Sequence, residues 1–228
     1  MTIELTPLPF DEAIEAFTGL VPMRAEEFYA LAEEARASAF TVAHVTKMDV
    51  LVDMHKAVEK AMRDGETLAD FRDRTDDIFQ ARGWATPPEF TPWRMETIFR
   101  NNVQTAYNAG RYKQMVDQKE RFPYWEYDAV GDSDTTDLCK DLDGRIYPAD
   151  DPFWDTYYPQ NHHKCRSSVN AVHKHIMEEE GLTVETEMPG ELPAEGWKHN
   201  SAKERWQPDL NKYPDELREQ YEAERRNT

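Results

Sequence analysis

Cysteine is scarce in this chain: Cys139 and Cys165 are the two among 228 residues. Two cysteines are too few for a disulfide framework, so the fold depends on a hydrophobic core, which a chain of this length can bury. We expect both thiols to be buried and reduced, because free cysteine is among the most buried residue types. A disulfide between them is geometrically possible, but a reducing compartment argues against it.

Long apolar runs are also missing. No segment approaches the roughly 20 apolar residues that cross a bilayer, so we expect no membrane contact. The first residues, MTIELTPLPFDEAIEAF, lack the basic start and apolar stretch of a signal peptide. The sequence therefore predicts a soluble protein that is made in the cytoplasm.

Basic side chains are outnumbered, with 27 lysines and arginines against 45 aspartates and glutamates and a net charge of −18. Such a chain lacks the basic face that generic wrapping of nucleic acid needs. The negative charge favours solubility and partners that present basic protein surfaces or cations. The sequence also has no phosphate loop, G-x-S-x-G or H-E-x-x-H motif, and no internal repeat.

Helical periodicity is present up to about residue 82. Apolar side chains recur at three- and four-residue spacing in four stripes: Phe10, Ala13, Ile14 and Phe17; Phe28, Leu31, Ala32, Ala35 and Ala39; Val50, Leu51, Met54, Val58, Ala61 and Met62; Leu68, Phe71, Thr75 and Phe79. We expect four helices, the second opened by Pro22, the third stopped by Gly65 and the fourth capped by Thr67. The proline-rich stretch 83–92 predicts a connector.

Residues 93–115 predict a further helix, which is a basic island in an acidic chain. Its candidates for contacting a partner are Arg94, Arg100, Asn101, Asn102, Arg111 and Lys113. Glu96 is the single acidic residue in this stretch. The alternative is that the helix lies against the acidic remainder of the same chain, and we favour this intramolecular interpretation.

Short strands and turns follow from Phe122. The stretch FPYWEYDAV alternates aromatic and polar residues as a half-buried strand does, and SSVNAV at 167–172 predicts a second strand. LDG at 142–144 predicts a turn, and DDPFW at 150–154 predicts an Asp-capped turn whose aromatic residues fill a small core. Beyond Pro189 the chain becomes charged and rich in proline.

These patterns predict an α+β protein. We expect a helical domain at 1–120, a small loop-rich domain that contains β-strands at 121–188, and an extended tail at 189–228. A charged tail with little apolar surface is either frayed or docked on a neighbour, and we expect docking on a partner.

Both cysteines and two adjacent histidines fall within residues 135–168. A structural zinc site needs four ligands, usually in two close pairs. Cys165 with His162 or His163 can supply one pair, whereas Cys139 has no close Cys or His partner. The ligand set would be Cys139, His162, His163 and Cys165, but the count stops short, and we expect no bound metal or other cofactor.

Two enzymatic alternatives involve the same region. A Cys–His dyad can act as a nucleophile, but it needs a third group that orients the base. A metal-dependent hydrolase would use aspartates: Asp132, Asp134, Asp150, Asp151 and Asp155. Aspartate also forms turns and caps through bonds to the backbone, which is the better interpretation in a loop-rich segment. We therefore expect no catalytic residues.

Four separated blocks of the chain, in order, resemble the phage Mu F-like minor head proteins, also called phage head morphogenesis proteins. The blocks are AFTVAHVTKMDVL at 39–51, TIFRNNVQTAYNAGRYKQ at 97–114, DLDGRIYPADDPFWDTYYPQNHHKCRSS at 141–168 and WQPDLNKYP at 206–214. The resemblance covers nearly the whole chain, and the third block is the most specific.

The resemblance implies a structural minor component of a phage head that acts in assembly near the portal vertex. The implied partners are the portal protein, the major capsid protein or both, and packaged DNA is a further candidate. The implied location is the virion, after synthesis in the host cytoplasm. A virion-carried hydrolase or effector and a zinc-stabilised binding module are the alternatives.

The chain departs from the family pattern at two positions. Family members often carry Thr-Cys-x-x-Cys or Thr-Arg-x-x-His before the LDG turn, and Cys-Arg-Cys after the proline-rich loop. Thr136 and Ser167 occupy one place in each pair here, and Cys139 and Cys165 occupy the others. The resemblance implies that these two cysteines lie close together.

Overall fold

The structure is a computed structural model and describes residues 10–31, 36, 39–42, 45, 47–81 and 92–203. Helices precede most strands along the chain, which confirms the α+β class. The elements of the described residues are, in order, α1 (Asp11–Thr18), β1 (Val21–Pro22), α2 (Ala25–Ala30), β2 (Ala39–Phe40), α3 (Met48–Asp64), α4 (Leu68–Ala81), α5 (Pro92–Asp117), β3 (Tyr124–Asp128), α6 (Asp137–Leu142), β4 (Ile146–Pro148), α7 (Phe153–Tyr157), β5 (Ser168–Val172) and α8 (Lys174–Glu179).

The helical core forms where the predicted stripes meet. Its buried side chains come mainly from α1, α3, α4 and α5: Ala13, Phe17, Phe40, Val42, Val45, Val50, Leu51, Met54, Ala57, Val58, Phe71, Phe79, Met95 and Ala106. Gly65 ends α3 in the left-handed conformation, with φ +66°, as expected of a glycine stop. Thr67 Oγ1 accepts the Asp70 N–H at the start of α4, which confirms the predicted cap. The first, third and fourth predicted helices are therefore confirmed.

The second predicted helix is wrong in its extent. Pro22 lies in β1 and pairs with Phe40 of β2, so α2 is only Ala25–Ala30 long, and Ala39 lies in a strand. The Met23 N–H donates to the Phe40 carbonyl at 2.9 Å, and the Phe40 side chain is buried in the helical core. This pairing overrides the local helical pattern. Ala32 and Ala35 lie outside the described residues, as does most of the predicted connector 83–92.

Helix α5 is 26 residues long and begins at Pro92, one residue before the predicted start. It packs in the helical core through Met95 and Ala106, and its last turns reach a second core through Met115. Because one helix contributes to both cores, the domain division at residue 120 stays a prediction. No helix among the described residues combines the length and apolar character that a membrane crossing requires.

The second core lies on a three-stranded antiparallel sheet with the order β4-β3-β5. Strand β3 alternates as predicted, so Trp125 and Tyr127 are buried while Asp128 is exposed. An aromatic cluster covers this face, and the Tyr147 and Phe153 rings stack with centroids 3.8 Å apart. The Phe153 N–H donates to Asp151 Oδ1 at 2.8 Å, which confirms the predicted Asp-capped turn.

The described part of the tail lies against the second core of the same chain. The Ala194 N–H donates to the Asn161 carbonyl at 3.0 Å, and the Tyr157 hydroxyl donates to the Glu191 carbonyl at 3.1 Å. Asn200 is buried and bonds the backbone of α7 through its side-chain amide. Docking of the tail on a partner stays a prediction, and residues 204–228 lie outside the described part.

Candidate metal centre

Cys139 is positioned by the short helix α6. Thr136 precedes this helix, and its hydroxyl oxygen accepts the Cys139 N–H at 3.4 Å as an N-cap. The same helix buries Leu138 and Leu142 in the second core, so its inner face also turns the Cys139 thiol into the protein. Cys139 retains only 2% of its exposure.

A tight turn positions the other two side chains. The Cys165 N–H donates to the His162 carbonyl at 3.2 Å, which places residues 162 and 165 at the two ends of one turn. Lys164 within this turn has φ +59°, in the left-handed region that few non-glycine residues adopt. Asn101 of α5 stabilises the turn, because its Oδ1 accepts the Lys164 N–H at 2.6 Å.

The three side chains meet in one cluster. The sulfurs of Cys139 and Cys165 lie 3.9 Å apart, and His162 Nε2 lies 3.3 Å from the Cys139 sulfur. The ligand-type atoms of all three residues lie within 4.8 Å of one another. The two cysteines are thus close together, as the resemblance implies, and both are present as free thiols.

Surrounding groups fix the orientation of the cluster. His162 Nδ1 lies 2.8 Å from the His163 carbonyl, which can only accept, so Nδ1 carries a proton and Nε2 faces the sulfur. The Tyr127 hydroxyl lies 3.4 Å from the Cys139 sulfur and accepts a hydrogen bond from the Asn161 amide.

These contacts shift the pKa of each member. The hydrogen bond from the Cys165 thiol, with a further bond from His162, holds the pKa of Cys139 well below its ordinary value. The contact of the Cys165 thiol with the Cys139 sulfur, together with burial, raises the pKa of Cys165. The hydrogen bond with Cys139 raises the pKa of His162, whereas burial lowers the pKa of His163. These directions favour a thiolate on Cys139 paired with a protonated His162 ring, whose Nε2–H faces the sulfur.

His163, the other histidine of the sequence-based ligand set, lies outside the cluster. Its Nδ1 lies 2.8 Å from the Asn101 amide nitrogen, and its ring contacts the Trp197 ring with centroids 5.3 Å apart. Of the two residues at the departures from the family pattern, Thr136 is adjacent to the cluster. Its hydroxyl lies 3.2 Å from His162 Nε2.

The aspartates proposed for a hydrolase form separate contacts. Asp132 pairs with both Nη atoms of Arg166 at 2.5 and 2.6 Å, and Asp155 pairs with Lys203 at 2.5 Å. Asp150 pairs with Lys119, while Asp151 caps a turn. The Asp134 N–H bonds Asp132, so that pair also forms a turn. Within the described ranges, the sole group of metal-ligand type is the Cys139–His162–Cys165 cluster.

The partner-binding candidates on α5 bond largely within the chain. Arg100 pairs with Glu96 at 2.7 Å, and Lys113 pairs with Glu15 of α1 at 2.8 Å. The remaining contacts are Arg111 Nη2 to the Val169 carbonyl, Asn102 to the Ile98 carbonyl, and Asn101 to residues 163 and 164. Arg94, in the first turn, is half-buried. Of these contacts, the Lys113–Glu15 pair joins α5 to an acidic side chain of another element. Binding of a partner by the six candidates stays a prediction.

Two residues near the cluster escaped the sequence analysis. The alternation of β3 identifies Tyr127 as buried, but no pattern in the sequence links its hydroxyl to Cys139. Asn161 is fully buried and bonds Tyr127, and it precedes the two histidines directly. A polar residue at that position carries no local signal of burial, since its partners come from distant parts of the chain.

The chain joins a helical core to a small sheet, and its Cys–His cluster is formed by a short helix and a turn. The family model described as "Phage Mu protein F like protein" matches residues 52–170, more than half of the chain. The chain belongs to this family, as its sequence blocks indicate. The matched range includes α5 and β3, and it also includes Cys139, His162 and Cys165.

Two curated relatives agree with this assignment. "Putative capsid assembly protein F" of Escherichia phage Mu is 36% identical over 190 residues, covering 78% of this chain and 43% of the relative. "Mu-like prophage FluMu F protein" of Haemophilus influenzae is 36% identical over 177 residues, covering 74% of this chain and 42% of the relative. The chain thus spans less than half of the length of these relatives. No solved structure matches it significantly.

Proposed function

We propose that this chain is a structural component of a tailed-phage head that acts in capsid assembly. The observation that carries the proposal is membership of the Mu protein F-like family, together with 36% identity to a relative whose name states capsid assembly. The identity extends over 190 residues, so it includes much of both cores rather than one short motif.

The buried state of the cluster supports a structural role rather than catalysis. A catalytic thiol must reach a substrate, yet Cys139 and Cys165 are 2% and 1% exposed. The His162 Nδ1 proton goes to the backbone carbonyl of the next residue, so no carboxylate orients this ring as in a catalytic triad. A virion-carried hydrolase is therefore the less supported alternative.

We further propose that the chain lies near the portal vertex of the head and binds the portal protein, the major capsid protein or both. Its net charge of −18 favours a basic protein surface as partner. Packaged DNA is a weaker candidate, because Arg100, Arg111 and Lys113 of α5 already bond acceptors within the chain. A DNA contact would have to break these bonds or use other residues.

The test is an association experiment with proteins of the same phage. The purified full chain is mixed separately with portal protein, with procapsids and with double-stranded DNA, and co-sedimentation is measured at low and high salt. We expect association with portal protein or procapsids that weakens as salt rises, and no retention by DNA. Folded chain that stays unbound to both proteins at low salt would contradict the proposal.

A further inference from the structure

We propose that Cys139, His162 and Cys165 together bind one Zn²⁺ ion. Around a tetrahedral zinc, two thiolate sulfurs lie about 3.8 Å apart, and a sulfur and an imidazole nitrogen lie about 3.5 Å apart. The corresponding separations in this chain are 3.9 Å between the sulfurs and 3.3 Å from the Cys139 sulfur to His162 Nε2. Two of the three separations between donor atoms therefore match those of a zinc tetrahedron, and all three donor atoms lie within 4.8 Å of one another.

The neighbours of the cluster are those that zinc ligands commonly have. Zinc-bound histidine usually donates its second ring N–H to a carbonyl or carboxylate, which fixes the tautomer and ring orientation. His162 Nδ1 does so to the His163 carbonyl at 2.8 Å, so Nε2 is the nitrogen that would bind a metal, after releasing its proton.

The donor set selects zinc among common metal ions. Two sulfurs and one imidazole nitrogen suit zinc, whereas calcium and magnesium need several oxygen ligands. The fourth position falls to a water molecule or to the Thr136 hydroxyl, which lies 3.2 Å from His162 Nε2. Counting ligands along the sequence argued against zinc, because no residue near Cys139 supplies a second ligand. The structure brings the three donors Cys139, His162 and Cys165 together across the fold, and a fourth ligand has to come from outside this set.

A zinc ion here would join segments that are distant in sequence. Cys139 belongs to α6. The other two ligands, His162 and Cys165, lie 23 and 26 residues further on, at the two ends of one turn. Asn101 connects the same turn to α5. The ion would therefore cross-link the second core in place of extensive regular structure, as structural zinc does in small loop-rich domains.

The test uses the untagged full chain, purified under reducing conditions without chelator. We expect about one zinc per chain by elemental analysis, and removal of zinc should lower the unfolding temperature until zinc, but not magnesium, is restored. Cobalt added to the metal-free chain should give a thiolate-to-cobalt charge-transfer band of the intensity expected for two thiolates.

Substitutions identify the ligands. Loss of a group that only hydrogen-bonds a metal ligand weakens metal binding by roughly 10- to 100-fold, and His162→Gln should weaken zinc binding by more than this. Cys139→Ser should halve the cobalt charge-transfer intensity. His163→Gln is the matched control, because it changes the neighbouring ring and keeps the carbonyl that orients His162, so its zinc content should equal that of the unsubstituted chain.

Three results would overturn the proposal. The first is an unsubstituted, folded chain that carries no zinc and gives no cobalt charge-transfer band. The second is a Cys139–Cys165 disulfide in the chain isolated from cells, because it removes both thiolates. The third is zinc that persists in the His162→Gln and Cys139→Ser variants, which would place the ion elsewhere. If a variant fails to fold, the zinc content and cobalt spectrum of the unsubstituted chain still decide the question.

Discussion

The Asn101 side chain accepts a hydrogen bond from the backbone N–H of Lys164 at 2.6 Å, although 63 residues separate them. The nitrogen of the same amide lies 2.8 Å from His163 Nδ1. Lys164 has a left-handed backbone, so this bond stabilises a turn conformation that few non-glycine residues adopt. Through this one side chain, the long helix α5 holds the turn that ends at Cys165.

Substituting Asn101→Ala tests this connection. The change leaves the Lys164 N–H without its partner, so we expect the free energy of unfolding to fall by about 1–2 kcal/mol in urea titrations. Asn102→Ala is the matched control, because the Asn102 amide bonds only the Ile98 carbonyl of its own helix, and its effect should stay within about 0.5 kcal/mol. Equal effects of the two substitutions would contradict this account of the turn.

The close contact of α1 with α5 leads to a second prediction. A Cβ atom on Gly110 would lie 2.6 Å from the Ala13 backbone nitrogen and 2.9 Å from the Phe10 ring. Gly→Ala inside an open helix stabilises by roughly 0.5–1 kcal/mol, but here overpacking should dominate. We expect Gly110→Ala to destabilise the protein by about 1–3 kcal/mol in denaturant titrations.

The control for this substitution is Lys113→Ala at the same helix pair. Lys113 and Glu15 form an exposed ion pair at 2.8 Å, and such pairs contribute at most about 1 kcal/mol. A stabilising effect of Gly110→Ala would show that α1 does not approach α5 as closely as described.

A buried hydroxyl joins the second core to α5. The Tyr158 hydroxyl donates to the Asn108 carbonyl at 2.9 Å, and both residues are buried. Tyr158→Phe leaves that carbonyl without this donor, and we expect a loss of about 1–3 kcal/mol of unfolding free energy in thermal or urea unfolding. Tyr29→Phe, at a ring that is 62% exposed, should change stability by less than about 0.5 kcal/mol. Equal stability of Tyr158→Phe and the unsubstituted chain would refute the bond.

Burial of His55 predicts a pH dependence of stability. Desolvation lowers the pKa of His55, whose ring stacks on Phe17 and whose Nε2 lies 3.2 Å from the Phe17 carbonyl. The unfolded chain takes up the proton near pH 6.5, whereas the folded chain does so only at lower pH. The contribution of neutral His55 is therefore complete above the unfolded pKa and is lost as pH falls through the window below it.

The measurement compares His55→Gln with the unsubstituted chain by urea unfolding at about pH 7.5 and about pH 5.5. The variant should be less stable at the higher pH because it loses the stacked ring, and the difference should narrow at the lower pH. Other histidines are common to both chains, so their titration cancels in the comparison. A difference that is independent of pH would show that His55 titrates alike in both states.

The strongly periodic parts of the fold were predictable from sequence. Helix α3 has a stripe several turns long and a glycine stop, so local signals agree with the tertiary structure. The region around Pro22 was not predictable, because β1 pairs with β2 across 18 residues and Phe40 fills the helical core. Ala39 has helical spacing to the preceding alanines in the sequence, yet it pairs with Val21 in a strand.

The cluster was predictable in composition and not in geometry. The sequence identifies both cysteines and two histidines, and the family resemblance implies that the cysteines meet. The choice between His162 and His163 depends on the turn at residues 162–165 and on Asn101 from a distant helix. Neither leaves a local pattern in the sequence.

A role of this chain in assembly of a phage head is tested in infected cells. A stop codon is placed in the gene of the phage that encodes this chain, and assembled heads are counted by electron microscopy with and without the full chain supplied in trans. We expect few normal heads in the absence of the chain, and their recovery when the chain is supplied. Normal numbers of infectious, DNA-filled heads without the chain would contradict it.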